Sequence, residues 1–316
     1  MVKVLVIGAG GQLGLVLTNA LKEKYGEDNV IPTDLFPNVE KGIEEKLDAT
    51  DYDAVHKIVE KHQITQIYHL AAILSAKGEI NPLQTWDINL KTLFNVLEVA
   101  RLQHIEKVFF PSSIAVFGSA ADKVNTPQNA FLNPLTVYGM SKAAGENWGQ
   151  YYFAKYGVDV RSLRYPGVVG YQSMPGGGTT DYAVDIYHKA VKGESFTCYL
   201  KDDARLPMIF MDDAIRATLE LMEAPKEAIT VRTSYNLSGI DFTPAEVVAS
   251  IQKWYPDFSV AYEPDARQAI AEGWPSSIND DAAKNDWQWQ PTYSLDAMSE
   301  EMIMQLKKKY TLENQI

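Results

Sequence analysis

Short apolar runs rich in β-branched residues alternate with longer amphipathic segments through the first half of the chain. The apolar runs predict β-strands, and apolar positions three and four residues apart predict helices. In chain order, these strands and helices are expected at 2–7, 12–25, 30–33, 51–62, 67–69, 85–102, 108–111, 137–156 and 160–164. Fully apolar strands that are joined by crossover helices form a parallel sheet buried on both faces. The pattern therefore predicts an α/β fold with a doubly wound parallel sheet of the Rossmann type.

This alternation ends near residue 165. Beyond it come loops with Gly and Pro, such as residues 174–180, followed by mixed short strands and helices. We therefore expect a larger domain over residues 1–165 and a smaller C-terminal α+β portion over residues 166–316. This division allows the chain to cross back, so that a segment of one portion packs on the other.

Composition limits the classes of partner. The 29 basic and 41 acidic residues give a formal charge of −12, which argues against nucleic acid because phosphate contacts need clustered Lys and Arg. Cys198 is the single cysteine, so no intrachain disulfide is possible and a reducing compartment is favoured. The apolar run at residues 4–7 is too short for a signal peptide, and no stretch approaches the ~20 apolar residues of a membrane span. We expect a cytoplasmic protein with no membrane partner and no metal site.

A glycine-rich loop lies between the first strand and the first helix. Its positions are Gly8, Gly11, Gln12, Leu13 and Gly14. Glycine lets the backbone turn sharply and approach a pyrophosphate, whose charge then rests on the amides of the helix N-terminus. In this context the loop indicates a dinucleotide-binding first domain and a mainly substrate-binding second portion, although a tight turn that binds nothing is the alternative.

Asp34 stands at the end of the next strand, about twenty residues beyond the loop. A carboxylate there accepts hydrogen bonds from ribose hydroxyls and repels a 2′-phosphate, and the following Leu35 and Phe36 supply no cation. We therefore expect NAD as the cofactor rather than NADP. An ordinary turn or cap role for Asp34 is the alternative.

A second group of residues indicates proton transfer. Tyr138 and Lys142 lie four residues apart in a segment of helical period, so they share one helix face. A nearby ammonium, helped by the positive nicotinamide, favours the phenolate of a phenol whose ordinary pKa is ~10. Ser112 and Ser113 follow an apolar strand at the sheet edge where parallel sheets bind ligands, and a hydroxyl there can orient a substrate oxygen. Taken separately, the Tyr–Lys pair could be a surface feature and the serines strand-end caps.

Together these motifs resemble the extended short-chain dehydrogenase/reductase family over nearly the whole chain. The resemblance lies in the glycine loop, Asp34, Asp48, Leu70-Ala71-Ala72, the run from Ser112 to Gly118, and Tyr138-x-x-x-Lys142. It implies that Tyr138 is the acid/base, that Ser113 holds the catalytic hydroxyl with Ser112 as an alternative, and that Lys142 also holds the nicotinamide ribose. It further implies cofactor roles for Leu35, Asp48 with Ala49, the wall of Leu70, Ala71 and Ala72, the structural Asn89, and Tyr165 beside the nicotinamide.

Two substrate classes follow from the resemblance. Extended members mostly act on nucleotide sugars, and Arg205 with Asp212 resembles their diphosphate-gripping segment. Residues 175–185 instead indicate a glycine turn leading into a helix, which suits a small anion such as a carboxylate. This turn, with 74–76, 111–114, 164–167 and 274–275, resembles the L-threonine 3-dehydrogenase branch.

That branch implies NAD-dependent oxidation of L-threonine at its 3-hydroxyl to 2-amino-3-oxobutyrate. The residues expected to bind the small-molecule substrate are Ser75, Ser113, Tyr138, Gly178, Thr179, Thr180 and Trp274. A mobile glycine loop and a core role for Trp274 are the alternatives. A nucleotide-sugar epimerase or dehydratase and a noncatalytic NAD-binding regulator stay open as other functions. Residues 85–102 and 137–156 resemble the helices of the family's dimer bundle, so a homodimer is expected.

Overall fold

The computed structural model describes residues 2–176 and 178–313, so Gly177 of the predicted substrate turn lies outside the described residues. The strands are β1 Val4–Ile7, β2 Val30–Asp34, β3 Glu45–Lys46, β4 Gln66–His69, β5 Lys107–Phe109, β6 Ser112–Ser113, β7 Val160–Arg161, β8 Leu163–Tyr165, β9 Gly167–Val169, β10 Phe196–Cys198, β11 Leu206–Phe210, β12 Tyr235–Asn236, β13 Ile240–Phe242 and β14 Val260–Tyr262. The helices are α1 Gln12–Tyr25, α2 Tyr52–His62, α3 Ser75–Gly78, α4 Pro82–Leu102, α5 Val137–Tyr156, α6 Tyr182–Lys192, α7 Met211–Glu223, α8 Pro244–Gln252, α9 Ala266–Gly273, α10 Asp281–Trp287 and α11 Leu295–Glu313.

The central sheet has six strands in the order β3-β2-β1-β4-β5-β7, and all its pairings are parallel. This order, with the first strand in the middle, is that of the doubly wound dinucleotide-binding fold. It confirms the predicted fold class.

The first strand shows why the sheet is buried on both sides. Val4 and Val6 pack in one apolar cluster with residues of α1 and α7. Leu5 and Ile7 pack in another cluster, with residues of α2 and α4. Since successive side chains of a strand point to opposite faces, a run of four apolar residues requires helices above and below it.

The boundaries of α1 and α5 agree with the sequence prediction, but residues 160–164 do not form one strand. β7 ends the central sheet beside β5, whereas β8 joins a second parallel sheet between β6 and β12. Ser162, between them, accepts a hydrogen bond from the Tyr235 amide. The strand therefore changes partners because a strand from the second half of the chain pairs with it here.

The second half adds a sheet of β13, β11 and β9 and a parallel pair of β10 and β14. Its core contains residues of α6, α8 and α11. Helix α7, from this half, packs against α1 of the first half, so the chain crosses back to cover the central sheet. None of the helices described at residues 2–176 and 178–313 is long and apolar enough to span a membrane.

Candidate active site

A cleft of about 290 Å³ lies beyond the carboxyl ends of β1, β4 and β5. Parallel sheets of this type bind their ligands at that edge. The cleft brings together most of the site residues predicted from the sequence, which are Gly8, Gly11, Gln12, Leu13, Gly14, Leu70, Ala72, Ser75, Ser112, Ser113, Tyr138, Lys142, Tyr165, Gly178, Thr179, Thr180 and Trp274.

The glycine loop forms one end of the cleft. Gly8 has a φ of 87°, and a Cβ on Gly14 would lie 2.3 Å from the Gly8 carbonyl oxygen, so both positions require glycine. Gly11 caps α1 without offering a side chain to the first-turn amides, and that turn carries no acidic residue. The N-terminus of α1 therefore presents its amides and its positive dipole end to an anion. These residues fit the pyrophosphate of a dinucleotide.

The predicted adenosine side of the site lies outside the lining of this cleft. Asp34 ends β2, and its Oδ2 accepts a hydrogen bond of 2.9 Å from the Gly10 amide of the glycine loop. The Asp48 carboxylate is exposed and accepts hydrogen bonds from the Thr50 hydroxyl and, at 2.9 Å, from the Thr50 amide. Both bonds lower the pKa of Asp48. Leu35 is exposed and Ala49 is buried.

Asn89 and Ala71 support the cleft wall without lining it. Asn89 is buried on α4 and clamps residue Ile73, accepting from its amide at 2.8 Å and donating to its carbonyl at 3.1 Å. Its amide group also donates to Ser141 Oγ on α5. The Ala71 amide lies close to Gly8, where a Cβ would come within 2.7 Å of it. These bonds hold the segment after β4 against α5 and the glycine loop.

Tyr138 and Lys142 both project from α5, which begins after Thr136 with a side-chain cap on the Gly139 amide. The Ser113 hydroxyl lies beside the Tyr138 phenol. Lys142 Nζ donates to the Pro111 carbonyl at 2.7 Å and lies 5.6 Å from the centre of the Tyr138 ring. The helix spacing thus places a phenol, a hydroxyl and an amine together at the end of β5.

Burial controls the titration of both groups. It raises the pKa of Tyr138 to about 12, against the opposing effect of the nearby Ser113 hydroxyl. It lowers the pKa of Lys142 to about 7, and the carboxylate of Glu146 opposes that change. In the protein alone, desolvation outweighs the neighbouring amine and Tyr138 stays protonated at neutral pH. A phenolate at neutral pH requires a further positive charge beside Tyr138.

The two adjacent serines have different surroundings. Ser112 Oγ donates to Glu146 Oε1 at 2.6 Å, and Arg164 binds both oxygens of the same carboxylate at 2.9 and 2.7 Å. All three side chains are buried. Ser113 instead contacts Tyr138 and accepts from the Ala115 amide at 3.1 Å. Ser112 is thus held by the buried ion pair, while Ser113 is the hydroxyl beside the phenol.

The glycine turn before α6 is bonded to a side chain of the protein itself. The amides of Gly176 and Gly178 donate to Asp181 Oδ2, at 2.7 and 2.8 Å. A carboxylate of the chain therefore engages both amides. Beside it, Thr179 is 2% exposed and lines the cleft, and its Oγ1 has no hydrogen-bond partner among the described residues. Trp274, 7% exposed, both lines the cleft and packs in the second-half core.

The predicted diphosphate segment faces elsewhere. Arg205 binds Asp241 Oδ1 at 2.7 Å and also pairs with Glu246, both of them partly exposed. Asp212 accepts from the Tyr293 hydroxyl at 3.2 Å. Neither Arg205 nor Asp212 is among the described residues that line the cleft.

Sequence reasoning missed residues that the structure brings to the site. Glu146 stands one helical turn after Lys142, so helix spacing alone could have indicated it. Asp181 and Met211 line the cleft, and Met211 directly follows β11, the kind of position already used to select Ser112. Among the described residues, no group of His, Cys, Asp and Glu could hold a metal ion.

Comparisons with known proteins agree with this architecture. The chain belongs to the NAD dependent epimerase/dehydratase family, which it matches over residues 4–238. An uncharacterized epimerase/dehydratase of Staphylococcus haemolyticus is 44% identical over 98% of this chain and 99% of its own length. The family and the site together define an oxidoreductase-type, NAD-dependent enzyme.

Solved structures similar to this chain include L-threonine dehydrogenases. A GalE-like L-threonine dehydrogenase from Cupriavidus necator, in its holo form, is 52% identical with a TM-score of 0.95, over 96% of this chain and all of that one. A protein described as a monomeric L-threonine 3-dehydrogenase, from a metagenome, is 47% identical with a TM-score of 0.94, over 97% of this chain and 99% of its own. The present chain is similar to both along almost its full length.

Proposed function

We propose that this protein oxidises L-threonine at the 3-hydroxyl to 2-amino-3-oxobutyrate, with NAD⁺ as the oxidant. The observation that carries the proposal is the placement of the Ser113 hydroxyl and the Tyr138 phenol together in a cleft that also contains the unpartnered hydroxyl of Thr179. The likeness to two L-threonine dehydrogenases along almost the whole chain supports this substrate.

The glycine loop and α1 would hold the dinucleotide through their backbone amides, with Asp34 on its adenosine side. When bound, oxidised NAD supplies a hydride acceptor and a positively charged ring. The protein's own residues must then orient the alcohol and remove its proton.

Tyr138 would take the hydroxyl proton of the substrate onto its phenolic oxygen. Its pKa of about 12 in the protein alone makes it a poor base, so activity depends on positive charge placed near it. Lys142 supplies part of that charge when protonated, and Glu146 favours its protonated form. Ser113 would hold the same substrate oxygen, since its hydroxyl already lies against the phenol.

The polar ends of the amino acid would be held across the cleft by Ser75 and by the turn of Gly178, Thr179 and Thr180, with Trp274 closing over the substrate. Within this turn Gly178 shapes the backbone, since its amide and carbonyl are bonded to Asp181 and Tyr199. Thr179 has the clearest reason to bind. A buried hydroxyl without a partner costs free energy, which a substrate carboxylate or ammonium would recover.

A nucleotide-sugar substrate has less support. The arginine expected to grip a diphosphate is already bound to Asp241 and Glu246, away from the cleft. Using Arg205 for a diphosphate would require breaking both ion pairs.

The test is NADH formation by the purified protein with NAD⁺ and L-threonine. We expect turnover, and we expect it to be lost in Tyr138→Phe. Thermal stabilisation by a UDP- or dTDP-sugar, without turnover of L-threonine, would favour the epimerase or dehydratase function. NAD binding without turnover of any hydroxy acid or sugar would favour the noncatalytic regulator. A cytoplasmic location remains a prediction.

A further inference from the structure

We propose that Asp181 and Tyr199 are positioning residues for substrate binding, because together they fix the turn that carries Gly178, Thr179 and Thr180. The proposal rests on the proposed function for the identity of the substrate. It adds an explanation of how this cleft keeps a binding hydroxyl in place before the substrate arrives.

Asp181 holds the turn through hydrogen bonds from the backbone amides of the turn. Its Oδ2 accepts hydrogen bonds of 2.7 Å from the Gly176 amide and 2.8 Å from the Gly178 amide. Although Asp181 is the N-cap residue of α6, its side chain makes no cap hydrogen bond to that helix. The carboxylate therefore acts on the turn and leaves the helix uncapped. Hydrogen bonds to a charged acceptor are stronger than neutral ones, which suits a glycine-rich segment that would otherwise be mobile.

Tyr199 holds the same turn through a hydrogen bond to a backbone carbonyl of the turn. Its hydroxyl donates to the Gly178 carbonyl at 3.1 Å. The direction of that hydroxyl is itself fixed, because the guanidinium of Arg267 lies 3.1 Å from the centre of the Tyr199 ring and the ring of Tyr182 packs edge-on against it at 6.3 Å. Gly178 is thus bonded on both its amide and its carbonyl.

The far end of the turn is fixed by packing. A Cβ on Gly167 of β9 would lie 2.8 Å from the Thr180 Cβ, so the Thr180 side chain rests directly on the backbone of that strand. Thr179 lies between these two attachments, so its backbone is held on both sides and its side chain starts from a fixed position at the cleft.

In the free protein this arrangement costs free energy, which indicates that the turn serves to bind a ligand. The Thr179 hydroxyl is buried with no partner among the described residues, so the free protein loses the free energy of an unmade hydrogen bond. Asp181 and Tyr199 offset that loss by holding the turn. A substrate then meets a donor and acceptor already in position and loses less entropy on binding.

The experiment compares Asp181→Ala, Asp181→Asn and Tyr199→Phe with the wild type, all saturated with NAD⁺. We expect the KM for L-threonine to rise at least ~10-fold in Asp181→Ala and less in Asp181→Asn, whose amide oxygen still accepts from both amides as a neutral and weaker acceptor. The kcat should change less than the KM, because the turn carries no group that takes the substrate's proton. Tyr199→Phe keeps the ring contacts and should raise the KM alone.

A second readout does not depend on activity. Hydrogen exchange measured by mass spectrometry should show faster exchange in Asp181→Ala for the peptide that contains Gly176 and Gly178. The matched control is Asp51→Ala, which removes a comparable bond that Asp51 Oδ1 accepts from the Ala54 amide at the start of α2, outside the glycine turn. It should lower the melting temperature and leave the KM unchanged.

The outcomes separate the two proposals. If the wild type does not turn over L-threonine but Asp181→Ala exposes the turn to exchange, the proposed substrate is wrong and the anchoring stands. If the wild type is active and the variants change neither KM nor exchange, the positioning role is wrong. A lowered melting temperature with an unchanged KM, as in Asp51→Ala, would reduce Asp181 to a structural residue and overturn the proposal.

Discussion

The Ser112 hydroxyl donates to Glu146 Oε1 over 2.6 Å, a buried contact that separates the functions of two consecutive serines. Because Glu146 also binds Arg164, Ser112 is part of an ion-pair network beneath the cleft. Ser113, one residue later, faces the phenol of Tyr138. The two adjacent serines thus make different contacts, and replacing each of them separately should have different effects.

Ser113→Ala and Ser112→Ala should affect different quantities. Loss of the Ser113 hydroxyl removes the partner of Tyr138, and we expect kcat to fall about 10²-fold with little change in stability. Loss of the Ser112 hydroxyl removes a bond to a charged group, so the free energy of unfolding should fall by about 1.5–3 kcal/mol with a smaller effect on kcat. Turnover and urea unfolding measure the two. The reverse ranking would assign the substrate hydroxyl to Ser112.

Tyr138→Phe should reduce kcat about 10²- to 10⁴-fold, because it removes the acid/base and leaves the shape of the cleft almost unchanged. The affinity for NADH, followed by fluorescence titration, should stay within about twofold of the wild type. A comparable loss of cofactor affinity would mean that the phenol serves binding rather than proton transfer.

Lys142 gives the stability of the protein a defined pH dependence. Its ordinary pKa of 10.5 applies to the unfolded chain, and burial lowers it to about 7 in the folded protein. Between these values the unfolded chain binds the extra proton, so this group makes the free energy of unfolding rise with pH. Lys142→Met lacks the effect. Urea unfolding at about pH 7 and about pH 9 should show a smaller rise with pH for the variant. Equal changes in both proteins would show that the lysine is not desolvated.

Asp34→Ser should weaken the preference for NAD over NADP by at least ~10-fold, because the carboxylate that repels a 2′-phosphate disappears. The ratio of kcat/KM for the two cofactors is the measurement. Asp48→Asn is the matched control, because its carboxylate, like that of Asp34, is bonded to nearby groups of the chain, here the amide and hydroxyl of Thr50. It should leave the ratio unchanged. An unaltered preference in Asp34→Ser would leave Asp34 only its local bonds to the Gly10 and Phe36 amides.

Helices α4 and α5 carry exposed aromatic side chains that suit the proposed homodimer. Trp86, Trp148, Tyr151 and Tyr156 are 37–42% exposed. Aromatic residues are enriched at the cores of protein interfaces, and a charge placed among them is strongly unfavourable. We expect light scattering after gel filtration to give a dimer for the wild type and a monomer for Trp148→Glu. A monomeric wild type would match the description of one structural neighbour and refute the dimer.

The sequence alone predicted the parts of the fold that depend on local pattern. β1 and α1 are set by an uninterrupted apolar run, a glycine loop and a long amphipathic segment, and the boundaries of α1 were predicted to the residue. The strands after residue 165 were not placed, since many have two or three residues and pair with distant parts of the chain. Propensity carries little information in such short strands.

The candidate site was predictable in its members but less so in its electrostatics. Helix spacing brought Tyr138 and Lys142 together, yet their pKa shifts come from burial by segments distant in sequence. The resemblance of Arg205 to a diphosphate-gripping arginine rests on its sequence context with Asp212. Its actual partners, Asp241 and Glu246, follow 36 and 41 residues later. Tertiary packing decides which charged side chains form ion pairs, and no local sequence pattern encodes that choice.

The return of α7 to the first half has a consequence for how the protein can be divided. Val4 and Val6 share their apolar cluster with α7, a helix that the chain completes only at Glu223. A fragment ending at residue 165 would leave that face of the sheet open to water and prone to aggregate. We therefore do not expect residues 1–165 to form a stable fold alone, and during synthesis this face of the sheet stays uncovered until α7 has left the ribosome.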